Sequence, residues 1–77
     1  MLNSIEKVVK KELVGVLVRV KKEAIKAYIQ DVVDIKVGIT KDFNSSNMHF
    51  LVKVDQHKYK TEVGKEYWIE AKYLDVI

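Results

Sequence analysis

The chain ends in the stretch GKEYWIEAKYLDVI, residues 64–77, in which three of fourteen residues are Tyr or Trp. Residues 67–70 read as a strand, and successive side chains of a strand point to opposite faces. Ile69 belongs in the core and takes Tyr67 to the same face, which leaves Trp68 on the opposite face, nearer the surface. The ending is therefore predicted to close a β-rich domain. Two roles stay open for Trp68: an exposed anchor for a partner, or a side chain packed beneath an N-terminal helix.

Short alternating segments fill most of the chain before this ending. The clearest is residues 48–54, where apolar side chains occupy every second position. Residues 15–21 (GVLVRVK) are rich in β-branched side chains and favour a strand, although a helix continued from the N-terminus is the alternative. The other segments are predicted as helical turns at 22–31, a strand from 33 towards 43, turns at 44–47 and 55–58, and a short strand at 59–63.

One helix followed by five or six short strands predicts a mainly β domain closed into a small antiparallel barrel. Closure is expected because an open sheet leaves the N–H and C=O groups of its edge strands unpaired. A chain of 77 residues forms one domain. The helix is predicted at residues 4–13 and the barrel at residues 15–77.

The N-terminal helix is predicted from its start signal and its two faces. Asn3 followed by Glu6 is a capping pattern, and Gly15 suits the end of a helix. Apolar residues then share one face (Ile5, Val8, Val9 and Leu13) and lysines share the other (Lys7, Lys10 and Lys11). The apolar face must pack on the barrel, where Ile5 and Val9 would cover Trp68, or on a second copy, so a homodimer is an open alternative.

Composition excludes several classes of function. The chain has no Cys, which excludes disulfides and thiolate metal sites and favours a reducing, cytoplasmic location. No apolar run approaches the ~18 residues that a membrane span needs, and the N-terminus lacks a secretion signal. There is no nucleophile motif or phosphate-binding loop, and His49 and His57, expected to face each other across a hairpin, lack metal-ligand spacing. We expect no enzymatic activity, no cofactor and no bound metal.

The closing residues YWIEAKYLDVI resemble the end of a Src homology 3-like barrel, in the type found in phages, prophages and low-GC bacteria. The resemblance extends to GVLVRVK at 15–21 and VGIT at 37–40, and covers roughly residues 15–77. It implies a strand at 67–69, a helical turn at 71–74 and a closing strand at 75–77. Proline-peptide binders of this fold carry a Pro before the helical turn, where this chain has Ala71, so a groove for proline-rich ligands is not expected.

The leading functional prediction is a protein-interaction module, in keeping with a phage or prophage protein that modulates a host protein. Aromatic side chains would anchor the partner and basic side chains would form the rim. The predicted anchors are Trp68 and Tyr73, and the predicted rim residues are Lys10, Lys11, Arg19 and Lys21. All of the excess positive charge lies in residues 1–26, so the alternative is a nucleic-acid-binding domain that uses this basic third.

Overall fold

The structure is a computed structural model that describes residues 13–77. Five strands form one antiparallel sheet in the order β4-β3-β2-β1-β5. The strands are β1 (Leu17–Val20), β2 (Ile35–Asn44), β3 (His49–His57), β4 (Glu66–Glu70) and β5 (Leu74–Val76). The prediction of a mainly antiparallel β domain is confirmed. The predicted helix at 4–13 lies outside the described residues except for Leu13.

Short helical segments connect the strands. Between β1 and β2 lie a 3-10 turn, Lys22–Lys26, and a one-turn helix α1, Gln30–Val33, which confirms the helical turns predicted there. A 3-10 turn, Ala71–Tyr73, joins β4 to β5 as the resemblance implied. No helix among residues 13–77 is long and apolar enough to cross a membrane.

The region around residues 55–63 was predicted wrongly. Residues 55–57 of the turn expected at 55–58 belong to β3, which continues to His57 because Gln56 and His57 pair with Val37 and Ile35 on β2. The strand expected at 59–63 is instead a 3-10 turn, Lys60–Glu62. Pairing with β2 supplies hydrogen-bond partners for the main chain of this segment, which favours a strand over a turn.

The predicted closure into a barrel is also wrong, because the five strands form one open sheet. Among the strands of residues 13–77, β4 pairs only with β3, and β5 pairs only with β1. The short turn Ala71–Tyr73 carries the chain from one edge strand to the other. Both edges are short, with five residues in β4 and three in β5, which limits the unpaired backbone that closure was expected to remove.

The core lies on the inner face of the sheet. Phe50, Val52 and Val54 are buried at alternate positions of β3, as their spacing predicted. Val18 and Ile69 extend this layer across the sheet, and Ala24 and Val32 from the connecting helices belong to the same cluster. The opposite, outer face of the sheet carries the candidate site.

Candidate functional site

Trp68 lies in the middle of β4 on the outer face, and 44% of its surface is exposed. Leu51 on β3 is directly opposite. The main-chain bonds between β3 and β4 fall at the neighbouring positions, so Leu51 and Trp68 form a non-hydrogen-bonded pair, the kind whose side chains lie closest. Trp68 is therefore exposed with respect to the described residues. The alternative packing beneath residues 4–13 lies outside them.

Further apolar side chains share this outer face. Leu17 on β1 pairs with Ile39 on β2, and the Ile77 N–H bonds to the Leu17 carbonyl at 3.1 Å. Leu17 is 46% exposed and Ile77 is 64% exposed. These apolar side chains form what we call the outer-face patch, which consists of five residues: Leu17, Ile39, Leu51, Trp68 and Ile77. Adjacent apolar side chains on an exposed face are typical of an interaction surface.

The predicted basic rim is only partly assembled on the described chain. Arg19 projects from β1 on the outer face, and its guanidinium lies 4.0 Å from the Asp75 carboxylate. The Lys21 ammonium lies 3.7 Å from the same carboxylate. Asp75 thus offsets part of the positive charge of both side chains. Lys10 and Lys11 lie outside the described residues.

Tyr73, the second predicted anchor, packs at a different place from Trp68. Its ring meets that of Tyr28 edge to face, with the centroids 5.7 Å apart. The Tyr28 hydroxyl accepts a hydrogen bond from the Glu70 N–H at 2.8 Å, and burial raises the pKa of Tyr28. The Lys72 ammonium lies 5.2 Å from the Tyr73 ring. Tyr73 is half-buried and supports Tyr28, a role that its sequence neighbourhood did not indicate.

A shallow depression of about 240 Å³ lies beside this aromatic pair. Its lining residues are Asn47, Met48, Glu70, Ala71 and Lys72. Met48 has a left-handed backbone, with φ of 59°, and is 45% exposed. The sequence did not indicate the left-handed backbone of Met48, because Met is not among the residues that favour such a conformation in turns. The depression is smaller than the ~300 Å³ or more of ordinary ligand pockets.

The two histidines do not face each other. They lie at opposite ends of β3, from His49 to His57, and a strand rises ~3.3 Å per residue, which separates them by roughly 26 Å. The His57 ring accepts the Tyr59 N–H at 2.9 Å, so its other nitrogen donates to the Asp31 carbonyl at 2.7 Å. Within residues 13–77 no group of three His, Asp or Glu side chains is placed to hold a metal ion.

One buried carboxylate organises the turn before β4. Glu62 is only 6% exposed and accepts hydrogen bonds from the Lys65 ammonium at 2.8 Å and the Tyr67 hydroxyl at 2.6 Å. The bond from Lys65, and then that from Tyr67, hold the pKa of Glu62 below its ordinary value. In return, Glu62 raises the pKa of Lys65 and raises that of Tyr67 to about 12. The three side chains stabilise the turn that delivers the chain into β4.

We expect the cluster of Glu62, Lys65 and Tyr67 to make the protein less stable at both acidic and alkaline pH. Because folding lowers the pKa of Glu62 from 4.5, its stabilising effect is complete above that pH and is lost as the pH falls through the lower folded value. Because folding raises the pKa of Tyr67 from 10.0 to about 12, that effect is complete below 10.0 and is lost as the pH rises towards 12. Folding also raises the pKa of Lys65, so the stabilising effect of Lys65 is lost in the same alkaline range. Urea unfolding midpoints measured across the acidic and alkaline ranges report both losses.

Two variants separate the groups in this cluster. Glu62→Gln should flatten both the acidic and the alkaline decline relative to the unmodified chain. Tyr67→Phe should remove the contribution of Tyr67 to the alkaline decline and reduce the acidic decline only in part, because the bond from Lys65 still lowers the pKa of Glu62. If the midpoint of Glu62→Gln changes with pH in parallel with that of the unmodified chain, the cluster does not control this dependence.

The described chain thus has two aromatic sites, the outer-face patch around Trp68 and the Tyr28–Tyr73 pair beside the depression. The first is the more exposed, and it shares its face with Arg19. No family model, curated protein or solved structure matches the chain.

Proposed function

We propose that the chain is a non-enzymatic interaction module that binds a protein partner through the outer-face patch. The observation that carries the proposal is the position of Trp68, which is 44% exposed and paired across the sheet with Leu51. Tryptophan is the residue most enriched among energetic anchors of protein interfaces, because it removes a large apolar area from water. Arg19 lies on the same face as a rim residue, and Tyr73 holds the adjoining end of β4 through Tyr28.

We further propose that the fold is an open relative of the Src homology 3-like domains. The strand order β4-β3-β2-β1-β5 and the single 3-10 turn before the last strand support this assignment. The resemblance to small phage and prophage proteins supports a role in modulating a host protein. The absence of Cys supports a cytoplasmic location.

The test is affinity capture from lysate, with the captured partner then measured against single variants. Trp68→Ala is expected to weaken binding by about tenfold or more, because truncation of a central aromatic anchor removes ~1.4 kcal/mol or more of binding free energy. Tyr59→Ala is the matched control, since Tyr59 is 51% exposed and lies outside the patch. It should bind as tightly as the unmodified chain.

Tyr73→Ala tests the second predicted anchor, and a smaller loss is expected because Tyr73 acts through Tyr28. A partner whose affinity is unchanged by both Trp68→Ala and Tyr73→Ala overturns the proposal. Captured nucleic acid that is lost at high salt and after nuclease treatment would favour the basic third instead, because phosphate contacts weaken steeply with salt. The ion pairs of Asp75 with Arg19 and Lys21 weigh against that outcome.

A further inference from the structure

Within the part of the chain that the structure describes, the main chain of β4 is paired along one edge and open along the other. The Ala71 N–H bonds to the Met48 carbonyl at 2.8 Å, and the Val54 N–H bonds to the Lys65 carbonyl at 2.8 Å. The main-chain groups of Lys65 and Ala71, the odd-numbered residues that flank β4, therefore point towards β3. The register with β3 is unbroken from residue 66 to residue 70. Alternation along a strand then directs the N–H and C=O groups of Glu66 and Trp68 away from β3.

Tyr28 marks where this open edge ends. Its hydroxyl accepts the Glu70 N–H at 2.8 Å, the next outward-pointing N–H along the strand. No strand among residues 13–77 pairs with the edge at Glu66 and Trp68. The exposed donors and acceptors match those of an extended chain laid beside β4.

The side chains beside this edge carry a charge pattern. Glu66, Trp68 and Glu70 alternate with the inward-pointing residues and so lie on one side of β4. Glu70 is half-buried, and its carboxylate lies 3.9 Å from the Lys72 ammonium. Glu66 is exposed, with Lys53 opposite on β3, on the side away from the open edge. A strand added at the edge therefore meets an apolar centre flanked by carboxylates.

We propose that the open edge of β4 takes up an extended segment of the protein partner by strand addition. The segment has basic, apolar and basic side chains at alternate positions, so that its apolar residue packs on Trp68 and its cations lie beside Glu66 and Glu70. Main-chain hydrogen bonds hold the segment, and this alternation selects it. This inference rests on the proposed interaction function and specifies how the partner is held.

The test uses a capped synthetic peptide, Thr-Lys-Thr-Ile-Thr-Lys-Thr, and the fluorescence of Trp68, the only Trp in the chain. Binding should change the emission and saturate. Two N-methylated versions are compared, each methylated at one of the two alternating sets of amides. Because only one set faces β4, one version should lose about tenfold or more in affinity while the other stays near the parent peptide. A version with Glu in place of Lys should bind more weakly than the parent.

Variants of the protein test the open edge of β4 independently of the peptide variants. Glu66→Pro removes an outward N–H and a carboxylate at the first residue of an edge strand, a position where Pro is tolerated, and should weaken peptide binding by about tenfold or more. Glu66→Gln should weaken binding of the Lys peptide and reduce its advantage over the Glu peptide. An unfolding curve for Glu66→Pro that matches the parent protein shows that the sheet is intact.

Equal binding of the two N-methylated peptides, or the absence of saturable binding, overturns strand addition. A partner whose capture needs Trp68 but tolerates Glu66→Pro overturns it while the interaction function stands. A partner that is indifferent to both Trp68→Ala and Tyr73→Ala overturns the interaction function itself. A concentration-dependent dimer that Glu66→Pro dissociates identifies a second copy as the occupant and overturns the partner segment.

Discussion

Gly38→Ala is expected to lower the free energy of unfolding by about 3 kcal/mol, the upper end of the usual range for overpacking a core. Gly38 is buried in β2, and a Cβ at this position would overlap the Cγ1 of Val52. Val52 is fully buried, and its branched side chain has little rotamer freedom with which to move away. The Val18 side chain and the Lys53 carbonyl close the remaining space, at 3.7 and 3.4 Å. Space requires Gly here, since the φ of Gly38 is not in the left-handed region.

The double variant Gly38→Ala with Val52→Ala tests this reason directly. Removal of both Val52 methyl groups frees the space that the new Cβ needs, so the double variant should be no less stable than Val52→Ala alone. Urea unfolding of the parent, both single variants and the double variant gives the coupling between the two positions. If the two losses simply add, the cause of the destabilisation lies elsewhere than in contact with Val52.

Thr40→Val is expected to destabilise the protein by about 2 kcal/mol, although it preserves shape and volume. Thr40 is fully buried. Its hydroxyl donates to the Leu13 carbonyl at 2.5 Å and accepts the Val16 N–H at 3.1 Å. A methyl group in its place leaves both main-chain groups without these partners, and an unsatisfied buried polar group costs about 1–3 kcal/mol. The hydroxyl thus attaches the chain before β1 to the middle of β2.

Thr40→Ser is the matched control for this prediction. It keeps the hydroxyl and removes only a methyl group, so it should destabilise the protein by about half as much as Thr40→Val. Chemical unfolding of the two variants under the same conditions shows whether the hydroxyl or the methyl group of Thr40 contributes more to stability. A larger loss for Ser than for Val would show that the methyl group, and not the hydroxyl, is what this position requires.

Much of the strand content could be predicted because it depends on alternation within short segments. Phe50, Val52 and Val54 occupy every second position, and a strand necessarily places them on one face. The same rule separated Ile69 from Trp68, and the structure buries the first and exposes the second. The charge of the basic rim was also readable, but the ion pairs of Asp75 were not, because β5 meets β1 only in the folded sheet.

The predictions that failed concern partners that are distant in sequence. Residues 55–57 have turn-like composition, yet they continue β3 because β2 supplies their hydrogen bonds. The contact of Tyr28 with β4 was equally hidden, since its hydroxyl accepts the Glu70 N–H from 42 residues away. Barrel closure was predicted from the general hazard of open edges, whereas this sheet has short edges and a Tyr28 cap at the end of β4.

The sequence by itself determined the strand faces, a turn predicted at 44–47 and found at 45–48, the absence of Cys chemistry and the location of the excess charge. Each of these follows from the polarity and shape of neighbouring residues, which act over one strand or one turn. Only the tertiary structure decided that the sheet stays open, that Trp68 and Tyr73 lie at separate places, and that no other strand of residues 13–77 pairs with the edge at Glu66 and Trp68. Those properties depend on which backbone groups meet when distant segments pair, and the local pattern of side chains does not contain that information.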